Sequence, residues 1–187
     1  MIIGLSGYAR SGKDTVADLL CLNYGYDRQA FADQIRMAIY RLNPIVECTT
    51  KGEPVHLAEA MMHQSVDSLK DDSDLRRLLQ VMGTHVGRKM FGEDFWVDQA
   101  FKSLKVDEDI VFTDVRFPNE ADRIRNTGGQ VWRVNRLNHE PINDHVSEIA
   151  MDDYAFDHTI KNYGTLDDLA DEVFMLCHSL GIKSIGA

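Results

Sequence analysis

Three observations in the sequence predict an α/β domain built on a central parallel sheet. Short apolar runs, such as residues 2–6 (IIGLS) and 110–113 (IVFT), stand between stretches with helical spacing. Strand and helix patterns alternate along the chain. A glycine-bounded loop with a lysine, GYARSGKD at residues 7–14, joins the first apolar run to the first helical one. Repeated strand–loop–helix units make parallel sheets covered by helices.

The elements follow in order. Residues 2–6 are apolar on both faces and read as a buried strand. Val16, Leu19 and Leu20 recur at helical spacing, so residues 13–22 form a helix, with Gly25 ending the unit. Residues 27–32 (DRQAFA) are a second strand. Residues 35–42 read as a helix that stops at Asn43-Pro44. Residues 44–73 mix loop signals with a helix around 55–63. Leu75, Leu78, Leu79, Met82 and Val86 give a helical face over 75–90, interrupted at Gly83, and residues 94–104 add another helix. The run 110–113 is a fully buried strand closed by Asp114. A helix beginning with a proline spans 118–126 and is ended by Gly128-Gly129. Residues 130–134 and 154–160 are strands, and 166–180 is a last helix with Thr165 as N-cap. No repeat or clean linker divides the 187 residues, a length that suits one domain, 1–187.

Composition narrows the partners. With 20 Lys plus Arg against 30 Asp plus Glu, the formal charge is −10. That argues against a nucleic-acid polymer, whose affinity comes largely from neutralised phosphates. It leaves room for a local basic pocket around a small phosphorylated ligand. Cys21, Cys48 and Cys177 are far apart and odd in number, which suits neither a zinc site nor a disulfide framework. The apolar start is too short for a signal peptide, and no long apolar run follows. The expectation is a cytoplasmic protein that does not span a membrane.

The loop at residues 7–14 has the G-x-x-x-x-G-K frame of a phosphate cradle. Backbone N–H groups of such a loop, followed by a helix N-terminus, form a concave positive site for phosphate oxygens. Gly7 and Gly12 permit the turn, and Lys13 can reach the outer phosphates of a nucleotide. Asp14 stands where a hydroxyl residue usually binds Mg²⁺, with Thr15 one place late. Either the carboxylate holds the ion through water or Thr15 supplies the oxygen contact.

A kinase of a phosphorylated acceptor needs several cations converging on one cleft, and arginine's planar fork suits phosphate. Arg36 follows the second strand, Arg88 closes LLQVMGTHVGR, Arg116 follows the buried strand in TDVRFPNE, and Arg133 and Arg136 flank the next strand end. Ligands of parallel α/β sheets sit at such carboxyl ends. Asp114 ends a buried strand and fits a place near Mg²⁺, or else caps a helix. Asp33 is another strand-end carboxylate, able to orient an acceptor or Arg36. An anionic phosphate acceptor needs no strong general base, so positioning and charge stabilisation suffice.

The blocks SGYARSGKDT, FADQIR, LRRLLQVMGTHVGRKMFGEDFWV, FTDVRFPNEAD and HVSEIAMDDYAFDHTIKNYGTLDDL together resemble the phage-type deoxynucleoside monophosphate kinases, from residue 4 to about 172. The late hydroxyl of G-K-x-T is shared with nucleoside monophosphate kinases in general. The resemblance implies the phosphate-loop (P-loop) NTPase three-layer sandwich in its nucleoside monophosphate kinase form. It implies transfer of the γ-phosphate of ATP, with Mg²⁺, to deoxynucleoside 5′-monophosphates, commonly by a homodimer. Carried over by position, Gly7, Arg10, Ser11, Gly12, Lys13, Asp14 and Thr15 would hold the ATP phosphates and metal, with Asp114 also near the metal. Phe31, Asp33 and Arg36 would form one wall of the acceptor site, and Gln80, Thr84, Arg88 and Trp96 another, within a helical region at about 33–105. Asp114 and Arg116 would lie between donor and acceptor, so that Lys13, Arg88, Arg116 and Asp33 carry catalysis. Arg136 would belong to a lid over about 136–150, and Asn162 would lie near adenine.

Blander readings accompany each assignment. Trp96 and Phe95 fit a core as well as a base-stacking platform, Gly83-Thr84 fits a plain helix break, and residues 137–148 fit a surface loop. Other readings of the whole keep ATP but change the acceptor to phosphomevalonate, dephospho-coenzyme A or a hydroxymethylated base in DNA, or make the chain a nucleotide-binding module without catalysis.

Overall fold

The computed structural model describes residues 1–48, 52–63, 69, 73–105, 108–137 and 146–186. The chain divides into two compact units, one of Met1–Ala30 with Ser103–Ala187, the other of Phe31–Lys102.

The first unit is built on five parallel strands: β1 (Ile2–Ser6), β2 (Asp27–Gln29), β5 (Ile110–Phe112), β6 (Gln130–Arg136) and β7 (His158–Asn162), in the order β2-β5-β1-β6-β7. β1 lies at the centre, with Gly4 opposite Phe112 on one side and Val131 on the other. Alternation along β1 sends its side chains to two layers. Ile3 and Leu5 join Val16 and Leu20 of α1 (Lys13–Tyr24) and Leu169, Val173 and Cys177 of α8 (Leu166–Ser179, which follows the one-turn α7, Val146–Ile149) in one buried cluster. On the other face a Cβ at Gly4 would lie 2.6 Å from Ile124 of α6 (Pro118–Asn126). The result is the helix–sheet–helix sandwich expected from the sequence. β1 pairs with β5 on one side and β6 on the other, so the chain's crossovers part beyond its carboxyl end, where such sheets hold ligands.

Several strand boundaries differ from the sequence reading, most at the end of β2 and the start of β7, for local reasons. β2 stops at Gln29, because the chain enters α2 (Ala32–Leu42) at once. β7 begins at His158 rather than 154. Residues 154–157 are engaged elsewhere: the Asp157 carboxylate accepts Val131 N at 2.7 Å and Arg125 Nη2 at 3.0 Å, and Tyr154 Oη donates to Asp122 at 2.8 Å.

The second unit is mainly helical. After α2 comes a hairpin of β3 (Ile45–Cys48) and β4 (Glu53–His56), then α3 (Leu57–His63), α4 (Ser73–Gln80), a run of wide π-helical turns over Val81–Phe91, and α5 (Phe95–Lys102). The hairpin replaces the helix start expected near 55. Val46 and Val55 send single apolar side chains inward to join Ile39, Leu57 and Leu75, and two strands in register satisfy the backbone that burial strips of water. The expected 75–90 helix is present but widens after Gln80. The cause lies 13 residues on. Trp96 Nε1 donates to Gly83 O at 3.0 Å, taking up a helix carbonyl. A Cβ at Gly87 would fall 1.8 Å from that indole nitrogen, so the ring needs glycine there. Wide turns of this kind arise where a side chain inserts into the helical ladder.

Candidate active site

The phosphate loop occupies the carboxyl end of β1, within the first unit. Its backbone takes positive φ at Gly7 (143°), Arg10 (64°) and Gly12 (107°). Glycine is needed at the first and last of these for space as well as dihedral. Added Cβ atoms would lie 2.5 Å from Val134 O and from Asn162 Nδ2. Arg10 holds a left-handed conformation that costs a non-glycine residue about 1 kcal/mol. Lys13 is buried and its Nζ donates to Gly7 O at 2.8 Å and Tyr8 O at 2.7 Å, so the ammonium arches back over the loop's first turn.

Ser11 Oγ is buried and finds no partner among the described residues. Buried hydroxyls are almost always hydrogen-bonded. An orphan hydroxyl and a buried ammonium in one loop of left-handed turns at a helix N-terminus make an environment a phosphate oxygen satisfies. The loop therefore fits the phosphates of a nucleotide.

Two residues expected further out prove to touch this loop. Asn162, at the end of β7, donates from Nδ2 to Ser11 O at 2.9 Å. Arg136, at the end of β6, donates to Arg10 O at 3.2 Å. The parallel register of β6 and β7 beside β1 brings both ends to the same edge. Of the expected lid at 136–150, residues 138–145 lie outside the described ones.

Asp14 and Thr15 open α1. The Asp14 carboxylate pairs with Arg28 of β2, which also holds Asp18 at 3.1 Å. Thr15 is half-buried. Asp114, also half-buried, follows β5 two residues past its end. No group of three His, Cys, Asp or Glu that could hold a metal ion stands among the described residues. Mg²⁺ does not need such a cage, since it is commonly held by one or two carboxylates, waters and phosphate oxygens. Asp114 and the residues opening α1 fit that mode. Arg116 is placed by its own backbone: the buried Glu120 carboxylate accepts Arg116 N at 2.7 Å and Phe117 N at 3.1 Å. Its Nη1 lies 3.5 Å from Ser147 O.

In the second unit, Arg36 and Asp33 form an ion pair at 2.7 Å on the first turns of α2, and Arg36 Nε is buried with no partner among the described residues. Phe31 is buried against Phe101, with ring centroids 6.3 Å apart. Gln80 ends α4, and Thr84 and Arg88 lie on the wide turns, where Arg88 Nη1 donates to Glu93 O at 3.1 Å. Trp96 is buried and packs edge-on to Phe95 at 4.8 Å. With Gln34, Arg41, Phe91 and Gln99 among others, it also lines a cavity of about 340 Å³.

Sequence reasoning passed over Tyr8, Asp152 and Arg28. Tyr8 stands inside the quoted loop and could have been questioned there. Asp152 and Arg28 carry no local signal, since their partners are distant in sequence.

A phosphate loop at the central strand of a five-stranded parallel sheet defines a nucleotide-phosphate-binding α/β protein. A family model described as deoxynucleotide monophosphate kinase matches residues 42–173. The chain belongs to that family, and is a phosphotransferase. It is 24% identical over 239 residues to the deoxynucleoside-5′-monophosphate kinase of Escherichia phage T5, covering 95% of this chain and 96% of the relative. It is 23% identical over 232 residues to the deoxynucleotide monophosphate kinase of Enterobacteria phage T4, covering 92% and 96%. Among solved structures, shikimate kinase from Aquifex aeolicus vf5 aligns over 97% of this chain and 98% of its own, with 12% identity and a TM-score of 0.43. No described helix is long and apolar enough to cross a membrane.

Proposed function

We propose that this chain transfers the terminal phosphoryl group of ATP, accompanied by Mg²⁺, to the 5′-phosphate of a deoxynucleoside monophosphate, in the cytoplasm, for DNA precursor synthesis. The observation that carries the reading is the buried Ser11 hydroxyl, without a partner among the described residues, in the same loop of positive-φ turns that leads to the buried Lys13.

Each unit has its own task in this reading. In the first, the N–H groups from Gly7 to Thr15 bind donor phosphate oxygens, and Ser11 Oγ donates to one of them. Lys13 donates to a phosphate oxygen and neutralises charge that grows on the transferred group. Asp114 and Thr15 would hold the metal, which would supply positive charge to offset that of the phosphate oxygens. Arg116 adds a fork for the group in transit. In the second unit, Arg36 and Arg88 bind the acceptor phosphate, Asp33 holds the Arg36 fork, and Phe31, Gln80, Thr84 and Trp96 border the nucleoside. The helical region at about 33–105 is the acceptor part of the reading, and 136–150 the lid that excludes water.

The test is ADP release from ATP and Mg²⁺ with a panel of acceptors: deoxynucleoside monophosphates, ribonucleotides, phosphomevalonate, dephospho-coenzyme A and hydroxymethylated DNA. Turnover is expected with one or more deoxynucleoside monophosphates. It should fall by at least about 10²–10³-fold in Lys13→Ala, the cost of losing one charge-stabilising donor. Turnover only with another acceptor would discard the substrate. ATP binding without turnover on any of them would discard the catalytic reading.

A further inference from the structure

Tyr8 sits inside the phosphate loop, and the chemistry above gives its side chain no task. Its two ends point to different jobs. Its carbonyl accepts Lys13 Nζ at 2.7 Å and Ser11 N at 3.2 Å, so it holds both the ammonium and the turn. Its side chain is tethered far along the chain. Tyr8 Oη donates to Asp152 Oδ1 at 2.9 Å, across 144 residues. The same carboxylate oxygen accepts Arg133 Nη2 at 3.1 Å. The Arg133 side chain is only 11% exposed. Its guanidinium lies 4.9 Å from the Tyr8 ring centroid and 5.3 Å from that of Phe156. Its Nε donates to Asn135 Oδ1 at 3.3 Å, and its Nη1 lies 3.5 Å from Met151 O.

A guanidinium this covered needs its carboxylate, because an unpaired buried charge is strongly unfavourable. The Arg133 end of the pair is therefore a fixed point anchored in β6, while the Asp152 carboxylate is 37% exposed. Tyr8 is clamped to it twice, through its hydroxyl and through its ring face. Burial, then the bond to Asp152, raises the Tyr8 pKa, which keeps the hydroxyl a donor.

We propose that Tyr8, Asp152 and Arg133 form a positioning cluster that sets the first turn of the phosphate loop, and through the Tyr8 carbonyl the Lys13 ammonium, in its donor-binding arrangement. The cluster acts on the backbone rather than on substrate. A loop that carries three positive-φ residues gives up ordering free energy when it closes on phosphate. Holding it beforehand lowers that cost and raises donor affinity. The inference rests on the reading that residues 7–15 hold the donor phosphates.

The test uses the full chain with two near-isosteric changes. Tyr8→Phe keeps the ring over Arg133 and removes only the hydroxyl bond. Asp152→Asn keeps shape and removes the charge. For each, the dissociation constant for ATP with Mg²⁺, the acceptor KM and the melting temperature are measured. ATP affinity should fall about five- to tenfold in Tyr8→Phe, the worth of one net hydrogen bond, with acceptor KM unchanged. The double variant should be no weaker than the worse single, because both changes open the same clamp. Unchanged ATP affinity in Tyr8→Phe, with Lys13→Ala impaired, would overturn the inference and leave the loop's role standing. So would a parallel loss of ATP affinity, acceptor affinity and melting temperature, which marks a merely structural residue. If the wild-type chain bound no ATP, the inference and the functional reading would fall together.

Discussion

Around residues 7–15 the side chains interlock. Lys13 bridges two carbonyls, Asn162 pins Ser11, Arg136 pins Arg10, and the buried Ser11 hydroxyl is left without a partner among the described residues. Over residues 31–102 the arrangement is looser. Arg36 and Asp33 pair within a single helix, the helix after Gln80 opens into wide turns, and Met37, Met62, Met90 and Phe91 are exposed. In the proposed function the contrast follows from what each part would have to recognise. Triphosphate is the same for every reaction, so backbone N–H groups, one lysine and glycines can be set rigidly around it. A nucleoside acceptor must be told from its relatives by side chains with the right hydrogen bonds and shape, set by packing of helices.

The comparison is sharpened most by a change that should separate the two. Arg36→Ala removes a fork whose Nε is buried and unpartnered among the described residues. In the proposed acceptor role, its loss should raise the KM for the deoxynucleoside monophosphate about 10–100-fold, the worth of charge-assisted hydrogen bonds. The dissociation constant for ATP should stay as in wild type. Equal losses for both ligands, in steady-state kinetics and nucleotide titration, would erase the distinction between the units.

The rigid part was the legible one, and physics explains why. Residues 2–15 announce themselves because glycine spacing and a lysine at a strand–helix turn are local requirements of the chemistry. The buried run before Asp114 and the Thr165 cap are equally local. Arg136 is legible as a strand-end arginine and Asn162 only through the resemblance, and their contacts with the loop come from the pairing of β6 with β1 and of β7 with β6. No local pattern shows that pairing. The β3–β4 hairpin was missed because Val46 and Val55 are too few to set a period of two. The wide turns after Gln80 were read as an ordinary helix with a break at Gly83, since their cause is an indole 13 residues away. Tyr8 and Asp152 show the limit most plainly, as a contact across 144 residues leaves no mark in either local sequence.

Gly87→Ala tests whether the looser unit depends on the Trp96 insertion. Two effects oppose each other. Alanine favours a helix over glycine by about 1 kcal/mol. The added Cβ, however, would stand 1.8 Å from Trp96 Nε1, with ring atoms rather than a flexible chain end in the way. Overpacking of this kind costs about 1–3 kcal/mol and should win, because the indole is also tied to Gly83 O. Thermal unfolding should shift down by roughly 2–4 °C for each kcal/mol lost, with ATP affinity intact. A higher melting temperature would mean that the wide turns relax to an ordinary helix at no cost.

The smallest effect is expected at the start of α8, which belongs to the rigid part: its Leu169 would lie 3.7 Å from a Cβ at Gly12 of the phosphate loop. Thr165 and Asp168 cap this helix reciprocally. Thr165 Oγ1 and N both donate to Asp168 Oδ2 at 2.7 Å, and Asp168 N donates to Thr165 Oγ1 at 3.2 Å. The hydroxyl bond first, then the backbone bond, lowers the Asp168 pKa from the ordinary carboxylate value. A depressed carboxylate contributes stability that is present above its unfolded pKa, near 3.9, and is lost as pH falls through its folded value. Asp168→Asn keeps an acceptor oxygen but cannot ionise. The gap in stability between wild type and variant should be constant from about pH 7 to 5 and should close below about pH 4. Denaturant unfolding of both proteins across that range measures it, and subtracting the two curves removes the titration of all the other carboxylates. A gap that persists at low pH would assign the stabilisation to shape rather than charge. No gap at neutral pH would make Thr165 the sole effective cap, leaving the register of Leu169 beside the phosphate loop to the buried cluster with Ile3, Leu5 and Val16.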